Sequence, residues 1–291
     1  MIGAFFPGPV PMFRIRTLNQ IAIKGLDRFA RDRFEVASEI QDADGILVRS
    51  QKLSVGEHAS PRLRAIARAG AGTNNIPVGE MTDRGVVVFN TPGANANAVK
   101  ELVIGSLLMS SRGIIDGMAF TASLKGLDDA ALNERVEAEK KRFKGVEVGG
   151  RSLGVVGLGA IGSLVARAAL DLGMHVFGYD PAISIDAAWR LPAEVERMPN
   201  LHSLLERSQY VSLHVPLLDA TRNMINAESM GHFREGATLL NFARDGIVDA
   251  SALREALDSG RVRRYFSDFP SAELIDHPSV FASPHLGAST E

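Results

Sequence analysis

The sequence feature that most constrains the fold is a G-x-G-x-x-G motif formed by Gly157, Gly159 and Gly162. The motif follows an apolar run at residues 153–156 and opens a stretch with apolar residues at helical spacing. A second apolar run then ends directly before Asp180. Such glycines allow a tight turn, close approach of a pyrophosphate and close packing of helix on strand, and the helix N-terminus offers amide donors to phosphate. The pattern therefore predicts a dinucleotide-binding strand–helix–strand unit.

Asp180 distinguishes between the two nicotinamide dinucleotides. Its carboxylate can accept hydrogen bonds from both adenosine ribose hydroxyls and would repel a 2′-phosphate, so we expect NAD rather than NADP. We assign Ala160, Ile161 and Pro181 to the same cofactor site. The alternative is a purely structural turn, but the order of strand, glycine turn, helix and acid favours a ligand.

Strands and helices alternate along the whole chain, which indicates parallel sheets covered on both faces. Before the glycine motif, apolar patterns predict strands at residues 13–17, Gly45–Val48, residues 63–69 and 86–89, and helices at residues 19–33 and 95–109. After a charged, less regular stretch at residues 128–150, strands are predicted at residues 153–156, 176–179, 210–215, 238–241, 265–267 and Val280–Ala282. We expect Asn97 to cap the helix at residues 95–109, and the residues before Met12 to form a loose tail.

These elements predict an α/β protein with two doubly wound parallel-sheet domains. A flavodoxin-like substrate domain would occupy residues 1–95, and a Rossmann NAD-binding domain, residues 96–283, would be inserted into it. The chain would then return to the first domain in a short segment, residues 284–291. Few residues remain for that return, so we expect weaker packing between the domains if the chain ends there naturally.

Composition argues against several classes of protein. The formal net charge of −2 gives no basic excess, so we expect no nucleic-acid partner. The absence of cysteine excludes disulfides, thiolate zinc sites and a catalytic thiol, and fits a reducing cytoplasm. Apolar runs are too short to cross a bilayer, so no membrane partner is expected. The seven histidines show no ligand spacing with paired carboxylates, so we expect no metal.

Three ionisable residues, Arg244, Glu273 and His285, follow predicted strand ends, where open α/β sheets place their ligands. Oxidation of a 2-hydroxy acid needs a base for the hydroxyl proton, a cation for the carboxylate and a group that orients the base. Histidine suits the first task, arginine the second and a carboxylate the third. Alone, each residue has an ordinary alternative such as a surface salt bridge; together, behind a dinucleotide motif, they favour a dehydrogenase.

The segments around these residues resemble the D-2-hydroxyacid dehydrogenase family. Residues 241–249 (NFARDGIVD) are similar to its N-x-A-R-G-x-x-V-D signature, residues 268–273 to its glutamate segment and residues 283–290 (SPHLGAST) to its histidine motif. The resemblance implies that Arg244 binds substrate, that Glu273 orients and that His285 is the acid/base. We assign further residues to the cofactor site: His214, Val215, Pro216, Ala243, Asp268 and Gly287.

Within the family, the resemblance is closest to a bacterial group, the 3-phosphoglycerate dehydrogenases, and extends over nearly the whole chain from Met12. Arg49 and Arg68 end apolar strands of the first domain and, on this interpretation, face the cofactor, where two guanidinium groups suit a phosphate. They could instead form salt bridges at the edge of the sheet. The rest of the predicted substrate site comprises Ser50, Gly70, Ala71 and Asn95.

The resemblance implies NAD-dependent oxidation of a small phosphorylated 2-hydroxy acid, 3-phosphoglycerate, to 3-phosphohydroxypyruvate at the entry to L-serine biosynthesis. It also implies a homodimer formed through the NAD-binding domain. A reductase of glyoxylate, hydroxypyruvate or another small 2-keto acid is the alternative within the family, and an NAD-responsive, non-enzymatic binding protein is the alternative outside it. Asp245 departs from the family pattern, because glycine usually follows the arginine. A carboxylate there could draw Arg244 from substrate, or strain the backbone if the position needs positive φ.

Overall fold

Two parallel sheets, each in its own unit, organise the chain. A computed structural model describes residues 12–290, apart from the side chain of Asp186; the tail predicted before Met12 lies outside the described residues. The first unit extends to Asn95 and the second comprises Ala96–Thr290. The division between the two units therefore falls between Asn95 and Ala96.

The described part of the first unit, from Met12 onwards, has five strands and three short helices. In chain order they are β1 (Phe13–Leu18), α1 (Ile23–Leu26), β2 (Phe34–Ala37), β3 (Gly45–Val48), α2 (Val55–His58), β4 (Ala65–Arg68), α3 (Val78–Asp83) and β5 (Val87–Phe89). All strand pairs are parallel, in the order β2-β1-β3-β4-β5. This is the flavodoxin-like order, which confirms the predicted fold of this unit. Its core includes Ile46, Val48, Ile66 and Met81, all fully buried.

The second unit has seven strands and eight helices. They are α4 (Ala96–Ser111), α5 (Ile114–Ser123), α6 (Asp129–Glu139), β6 (Ser152–Val156), α7 (Ala160–Asp171), β7 (His175–Tyr179), α8 (Ile185–Trp189), β8 (Glu196–Arg197), α9 (Leu201–Arg207), β9 (Tyr210–Leu213), α10 (Ala227–Gly231), β10 (Ala237–Asn241), α11 (Ala250–Asp258), β11 (Val262–Ser267) and β12 (Val280–Ala282). Short 3-10 turns occur at Lys140–Phe143 and Asp245–Ile247.

The sheet of the second unit has the strand order β12-β11-β10-β9-β6-β7-β8 and is parallel throughout. Its central strands β6, β9 and β10 are buried along their full length, which explains their nearly continuous apolar sequences. From β6 the chain adds β7 and β8 on one side of the sheet, and then returns to add β9 to β12 on the other side. Open α/β sheets bind their ligands at such a switch point, here between β6 and β9. The fold thus confirms the Rossmann architecture and places the glycine motif at its binding edge.

The helix predicted over residues 19–33 is wrong in its extent. Only the single turn of α1 is helical, and β2 begins where the sequence suggested no strand. The ring of Phe29 packs edge-to-face on Phe34, with 5.2 Å between centroids. Phe29 therefore packs on the edge strand β2 from a turn, and not from one face of a helix.

Two further expectations are wrong. Asn97 lies inside α4 and does not cap it; its side chain donates a hydrogen bond to Glu101 one turn further on. The stretch at residues 128–150 is more regular than expected, because α6 begins after Asp128, whose carboxylate accepts the N–H of Ala131. The sequence also gave no sign of β8, which has only two residues.

The expected return to the first domain at residues 284–291 is not seen in its described part. Residues 284–290 group with the second unit. The backbone N–H groups of Leu286 and Gly287 donate to the carboxylate of Asp268, directly after β11. These bonds hold the segment at the edge of the second sheet.

No single helix within residues 12–290 has the length and apolar character of a membrane span. The adjacent helices α4 and α5 satisfy that criterion only as a pair, with a bend of 69° between them. Seven residues of α4 are buried in the structure, among them Val99, Val103 and Leu107.

Candidate active site

The glycine turn between β6 and α7 has the shape that a dinucleotide needs. Gly157 has φ of +90°, and a Cβ there would lie 2.8 Å from the backbone of His214. A Cβ on Gly162 would overlap the carbonyl oxygen of Gly157, so helix and turn can approach only with glycine. A Cβ on Gly159, in contrast, would meet no described protein atom within 4 Å. Gly157 and Gly162 are therefore required by the fold, and Gly159 leaves open space beside the turn.

The N-terminus of α7 faces that open space without a side-chain cap. Gly159 is the N-cap residue, and no acidic residue occupies the first turn that Ala160 and Ile161 begin. The first N–H groups of a helix have no partner within the helix, and the helix dipole favours a negative charge there. A phosphate group can satisfy both.

Asp180 lies at the carboxyl end of β7 and is tied to the glycine turn. One carboxylate oxygen accepts the N–H of Leu158 at 2.8 Å, and the other accepts that of Ala182 at 2.9 Å. Each oxygen keeps acceptor capacity for a ribose hydroxyl. Pro181 follows and is exposed. The acid is thus held beside the turn at the place where a Rossmann fold binds the adenosine ribose.

His214, directly after β9, is neutral and incompletely hydrogen-bonded. Its Nε2 lies 2.8 Å from the hydroxyl of the buried Ser212, whereas its Nδ1 is shielded from solvent and has no partner among the described residues. Burial lowers the pKa of His214 from 6.5 to about 3. Val215 follows, beside Gly157, and the carbonyl of Pro216 accepts the hydroxyl of Thr221. A polar ligand atom could satisfy Nδ1.

These observations fit a dinucleotide. The uncapped helix N-terminus, the open side of Gly159, the tethered Asp180 and the unsatisfied Nδ1 of His214 all belong to the switch-point edge of one sheet. Within residues 12–290, no group of three or more histidine, cysteine or carboxylate side chains is placed to hold a metal ion.

Arg244 follows β10 and is positioned by a buried asparagine. Asn241 is fully buried, and its Nδ2 donates to the carbonyl of Arg244 at 2.8 Å and to the hydroxyl of Tyr265 at 3.2 Å. Its Oδ1 accepts the N–H of Ala243. The backbone that carries the half-buried Arg244 is therefore fixed from inside the sheet. The asparagine belongs to the motif, but its buried partner Tyr265 was not predicted.

His285 follows β12 and is exposed, with its imidazole edge-to-face on Phe269 at 5.1 Å between centroids. Its backbone is left-handed, with φ of +56°. Because Asn241 pairs with Ser267 and Ser267 with Ala282, the strands β10, β11 and β12 end level with one another. The loops that carry the three predicted catalytic residues therefore leave the same edge of the sheet.

Glu273 lies in the loop after β11 and is exposed. No hydrogen bond or ion pair joins its carboxylate to His285 in the part of the chain that the structure describes. Its carbonyl instead accepts a hydrogen bond from Arg254, which also pairs with Asp276 at 2.9 Å. The structure thus places Glu273 at the predicted edge, while the expected contact with the histidine is not formed.

Asp245 neither strains the backbone nor pairs with Arg244, the two effects that its sequence position suggested. Its φ is not positive, and it opens a short 3-10 turn in which its own carboxylate accepts the N–H of Gly246 at 2.8 Å. Among the described residues it forms no ion pair with Arg244, whose guanidinium donates to the carbonyl of Ala243.

The carboxyl edge of the first sheet carries the predicted substrate residues. Arg49 and Arg68 follow or end the adjacent strands β3 and β4, and Nε of Arg68 donates to the carbonyl of Arg49 at 3.0 Å. A Cβ on Gly70 would lie 2.6 Å from the Arg68 guanidinium, so glycine lets that side chain fold over the backbone. Ser50 is exposed, and Asn95 is the half-buried last residue of this unit.

Asparagine side chains that the sequence did not single out tie the loops of this edge together. Asn19 accepts the N–H groups of Ser50 and Gln51, at 3.0 and 2.8 Å. Asn75 donates to the carbonyl of Gln51 at 2.8 Å, and Asn90 to that of Ala71 at 2.6 Å. Asn19 has a φ of +70°, which asparagine tolerates better than most residues do. This preference is consistent with a turn at Asn19 but is too weak to have predicted it.

The family model described as "D-isomer specific 2-hydroxyacid dehydrogenase, NAD binding domain" matches residues 117–287. That match covers more than half of the chain and includes the glycine turn, Arg244 and His285.

The chain is also similar to individual dehydrogenases and reductases. The chain is 37% identical over 265 residues to a D-3-phosphoglycerate dehydrogenase of Methanocaldococcus jannaschii, covering 88% of this chain and 48% of that protein. It is 37% identical over 270 residues to a hydroxypyruvate reductase of Thermotoga maritima, covering 89% and 82%. The chain thus spans about half the length of the phosphoglycerate dehydrogenases that it matches. The NAD+-bound 3-phosphoglycerate dehydrogenase of Entamoeba histolytica has a similar fold, with a TM-score of 0.75, 26% identity and coverage of 96% and 89%.

Proposed function

Because the chain belongs to the D-isomer specific 2-hydroxyacid dehydrogenase family, we propose that it oxidises 3-phosphoglycerate to 3-phosphohydroxypyruvate, the entry step of L-serine biosynthesis. The cofactor is NAD, since the chain carries the NAD-binding domain of that family. The observation that supports the proposal best is that Arg244, Glu273 and His285 follow three adjacent, level strand ends in the sheet whose glycine turn fits a dinucleotide.

Each residue has one task in the proposed reaction. The guanidinium of Arg244 binds the substrate carboxylate through paired hydrogen bonds, which orients C2. The imidazole of His285 takes the proton of the C2 hydroxyl as the carbonyl forms. NAD, when bound, supplies the acceptor for the hydride that leaves C2. Glu273 orients the imidazole; since no contact joins the two in this structure, we propose that its loop adjusts when substrate binds.

Recognition of the phosphate is assigned to the first unit. Arg49 and Arg68 are half-buried, and the strands that they follow or end are direct neighbours. The Nε of Arg68 donates a hydrogen bond to the carbonyl of Arg49. A guanidinium whose backbone surroundings are already fixed loses little freedom when it binds an anion. Ser50 would add a hydroxyl donor, Ala71 a backbone N–H and Asn95 a side-chain amide, whereas the N–H of Gly70 already donates to the hydroxyl of Thr91 at 2.8 Å.

The test is a steady-state assay of the purified protein with NAD and 3-phosphoglycerate at alkaline pH, with a trap for the keto product. We expect NADH to form, and D-glycerate, the same acid without phosphate, to be a much poorer substrate. Equal rates on both acids would contradict the phosphate assignment. NAD binding with no turnover of either acid would instead favour the NAD-responsive binding protein.

The hydroxypyruvate reductase of Thermotoga maritima supports a second candidate, because the chain covers 82% of that relative. On this alternative the protein reduces hydroxypyruvate or glyoxylate with NADH. Running the same assay in reverse separates the two functions: a higher kcat/KM for hydroxypyruvate than for 3-phosphohydroxypyruvate would favour the reductase.

We also propose a homodimer formed through the second unit. Helix α5 exposes Ile114 and Met118, with 42% and 68% of their surface accessible. An apolar cavity of about 280 Å³ lies beside them, lined by Phe120 and Phe143 among others. Light scattering should give twice the chain mass for the wild-type protein and a lower mass for Met118→Glu.

Location in the cytoplasm remains a prediction from the absence of cysteine.

A further inference from the structure

The backbone of His285 adopts a conformation that is uncommon for residues other than glycine. Its φ of +56° is left-handed, and among the described residues only Asn19 and Asn223 share a positive φ without being glycine. Asparagine and histidine adopt this region more often than most residues, but a left-handed residue other than glycine still carries a conformational cost. Such a conformation persists only where surrounding contacts hold it. A group that contacts the loop after β12 must therefore fix the turn.

That group is the side chain of Asp268, directly after β11. Asp268 is 2% exposed, and its carboxylate accepts three hydrogen bonds from the histidine loop. Oδ1 accepts the hydroxyl of Ser283 at 2.6 Å and the N–H of Leu286 at 2.7 Å. Oδ2 accepts the N–H of Gly287 at 2.7 Å. The carbonyl of Asp268 also accepts the N–H of His285, at 3.1 Å. Donors on both sides of the histidine thus converge on one residue.

The position opposite the carboxylate leaves little room for a side chain. A Cβ on Gly287 would lie 3.1 Å from Oδ2 of Asp268 and 3.4 Å from the side chain of Val99 on α4. A side chain there would push the carboxylate away by a few tenths of an ångström and so disturb the short N–H···O bond from Gly287. The carboxylate and the glycine fit each other, and this fit is independent of any ligand.

We propose that Asp268 is a positioning residue for His285: its buried carboxylate fixes residues 283–287 in the left-handed turn that presents the imidazole beside Phe269. The proposal rests on the proposed role of His285 as acid/base. It changes the sequence-based interpretation of Asp268 as a cofactor contact, because the hydrogen bonds that the carboxylate accepts go to the chain itself. Three charge-assisted hydrogen bonds also offset the cost of burying the carboxylate.

The variant Asp268→Asn tests this most sharply. It keeps the size of the side chain but replaces one acceptor oxygen with an NH2 group, so a donor faces one of the loop's N–H donors. Ser283→Ala is the milder variant, since it removes one bond and leaves both N–H contacts. We expect kcat to fall by about 10- to 100-fold in Asp268→Asn and by severalfold in Ser283→Ala, with the Kd of NADH changed less than about twofold in both.

A readout without turnover separates this proposal from the proposed function. In protein labelled at histidine, the His285 imidazole resonance is identified by its loss in His285→Ala. We expect Asp268→Asn, or Ser283→Ala if the first variant does not fold, to shift or broaden that resonance and to leave those of His175 and His202 unchanged. This result supports positioning even if 3-phosphoglycerate proves not to be the substrate. An unchanged His285 resonance with a weakened Kd of NADH would overturn the proposal and return Asp268 to the cofactor.

Discussion

The carboxyl edges of the two sheets carry different kinds of residue and are held in different ways. At the edge of the second sheet, buried side chains fix the backbone: Asn241 holds Arg244, and Asp268 holds the loop of His285. At the edge of the first sheet, exposed or half-buried asparagines such as Asn75 tie one loop to the next through backbone groups.

The difference matches the two tasks proposed for these edges. Proton transfer needs a side chain held within a fraction of an ångström, and buried hydrogen bonds in a sheet supply that rigidity. Recognition of a phosphate needs donors that tolerate small displacements, and loops joined by side-chain bonds are sufficient. Changes at the second edge should therefore alter kcat or folding, whereas changes at the first edge should alter the choice of substrate.

The largest effect is expected for His285→Ala. Loss of a general acid/base lowers kcat by about 10²- to 10⁴-fold. Because the imidazole is exposed and its loop is held by Asp268, the melting temperature and the Kd of NADH should stay close to wild type. Stopped-flow measurement of NADH formation checks the fall in kcat, and fluorescence titration checks the Kd of NADH. An alanine variant with near wild-type kcat would remove His285 from the chemistry.

The glycine turn offers a matched pair of variants. Gly162→Ala should lower the free energy of unfolding by about 1–3 kcal/mol, since the added methyl overlaps the carbonyl of Gly157. Gly159→Ala should leave stability nearly unchanged, because its methyl meets no described atom, but should weaken NADH binding by about tenfold, or about 1.4 kcal/mol. Chemical denaturation and NADH titration distinguish them. If Gly159→Ala bound NADH normally, the cofactor would not lie against that turn.

The desolvated His214 should make folding sensitive to acid. Its pKa is about 3 in the folded chain against an ordinary value of 6.5, so below pH 6.5 the unfolded chain takes up a proton that the folded chain does not. Stability is full above pH 6.5 and is lost as the pH falls, by up to about 1.4 kcal/mol per pH unit. Urea titrations across this range should show a shallower decline for His214→Asn than for wild type. Parallel declines would mean that the imidazole is solvated.

The smallest effect is expected for Asp245→Asn. The amide oxygen can keep the hydrogen bond from Gly246, while the charge next to Arg244 is lost. Since Asp245 is exposed and does not pair with Arg244 in the described structure, the KM for substrate should change by about twofold or less. A much lower KM in this variant would show that the carboxylate competes with substrate for the guanidinium.

Much of the fold follows from sequence pattern because the central strands of the second unit are buried on both faces. Runs such as those of β6 and β10 leave few alternatives, and the motifs at their ends identify the glycine turn and Arg244. Two edge strands were harder: β8 has only two residues, both exposed, and β2 is partly exposed along its length. Strands so short carry too little periodicity to be recognised.

The contacts that hold the site were beyond prediction for a different reason. Asp268 was identified, but its role depends on donors from a loop that begins at Ser283, and no local pattern couples residues so far apart. The same applies to Tyr265 behind Asn241. Sequence motifs indicate which residue types are needed at an edge, whereas the packing that aims them becomes visible only in three dimensions.

The most direct test of the contrast between the two edges is the ratio of kcat/KM for 3-phosphoglycerate to kcat/KM for D-glycerate, measured in wild type and in Arg49→Met. If the first edge binds phosphate, the loss of a charge-assisted contact should lower this ratio by about 10- to 100-fold, while kcat on D-glycerate is retained. If both substrates lose activity equally, Arg49 serves structure or catalysis in general, and the division of labour between the two edges is wrong.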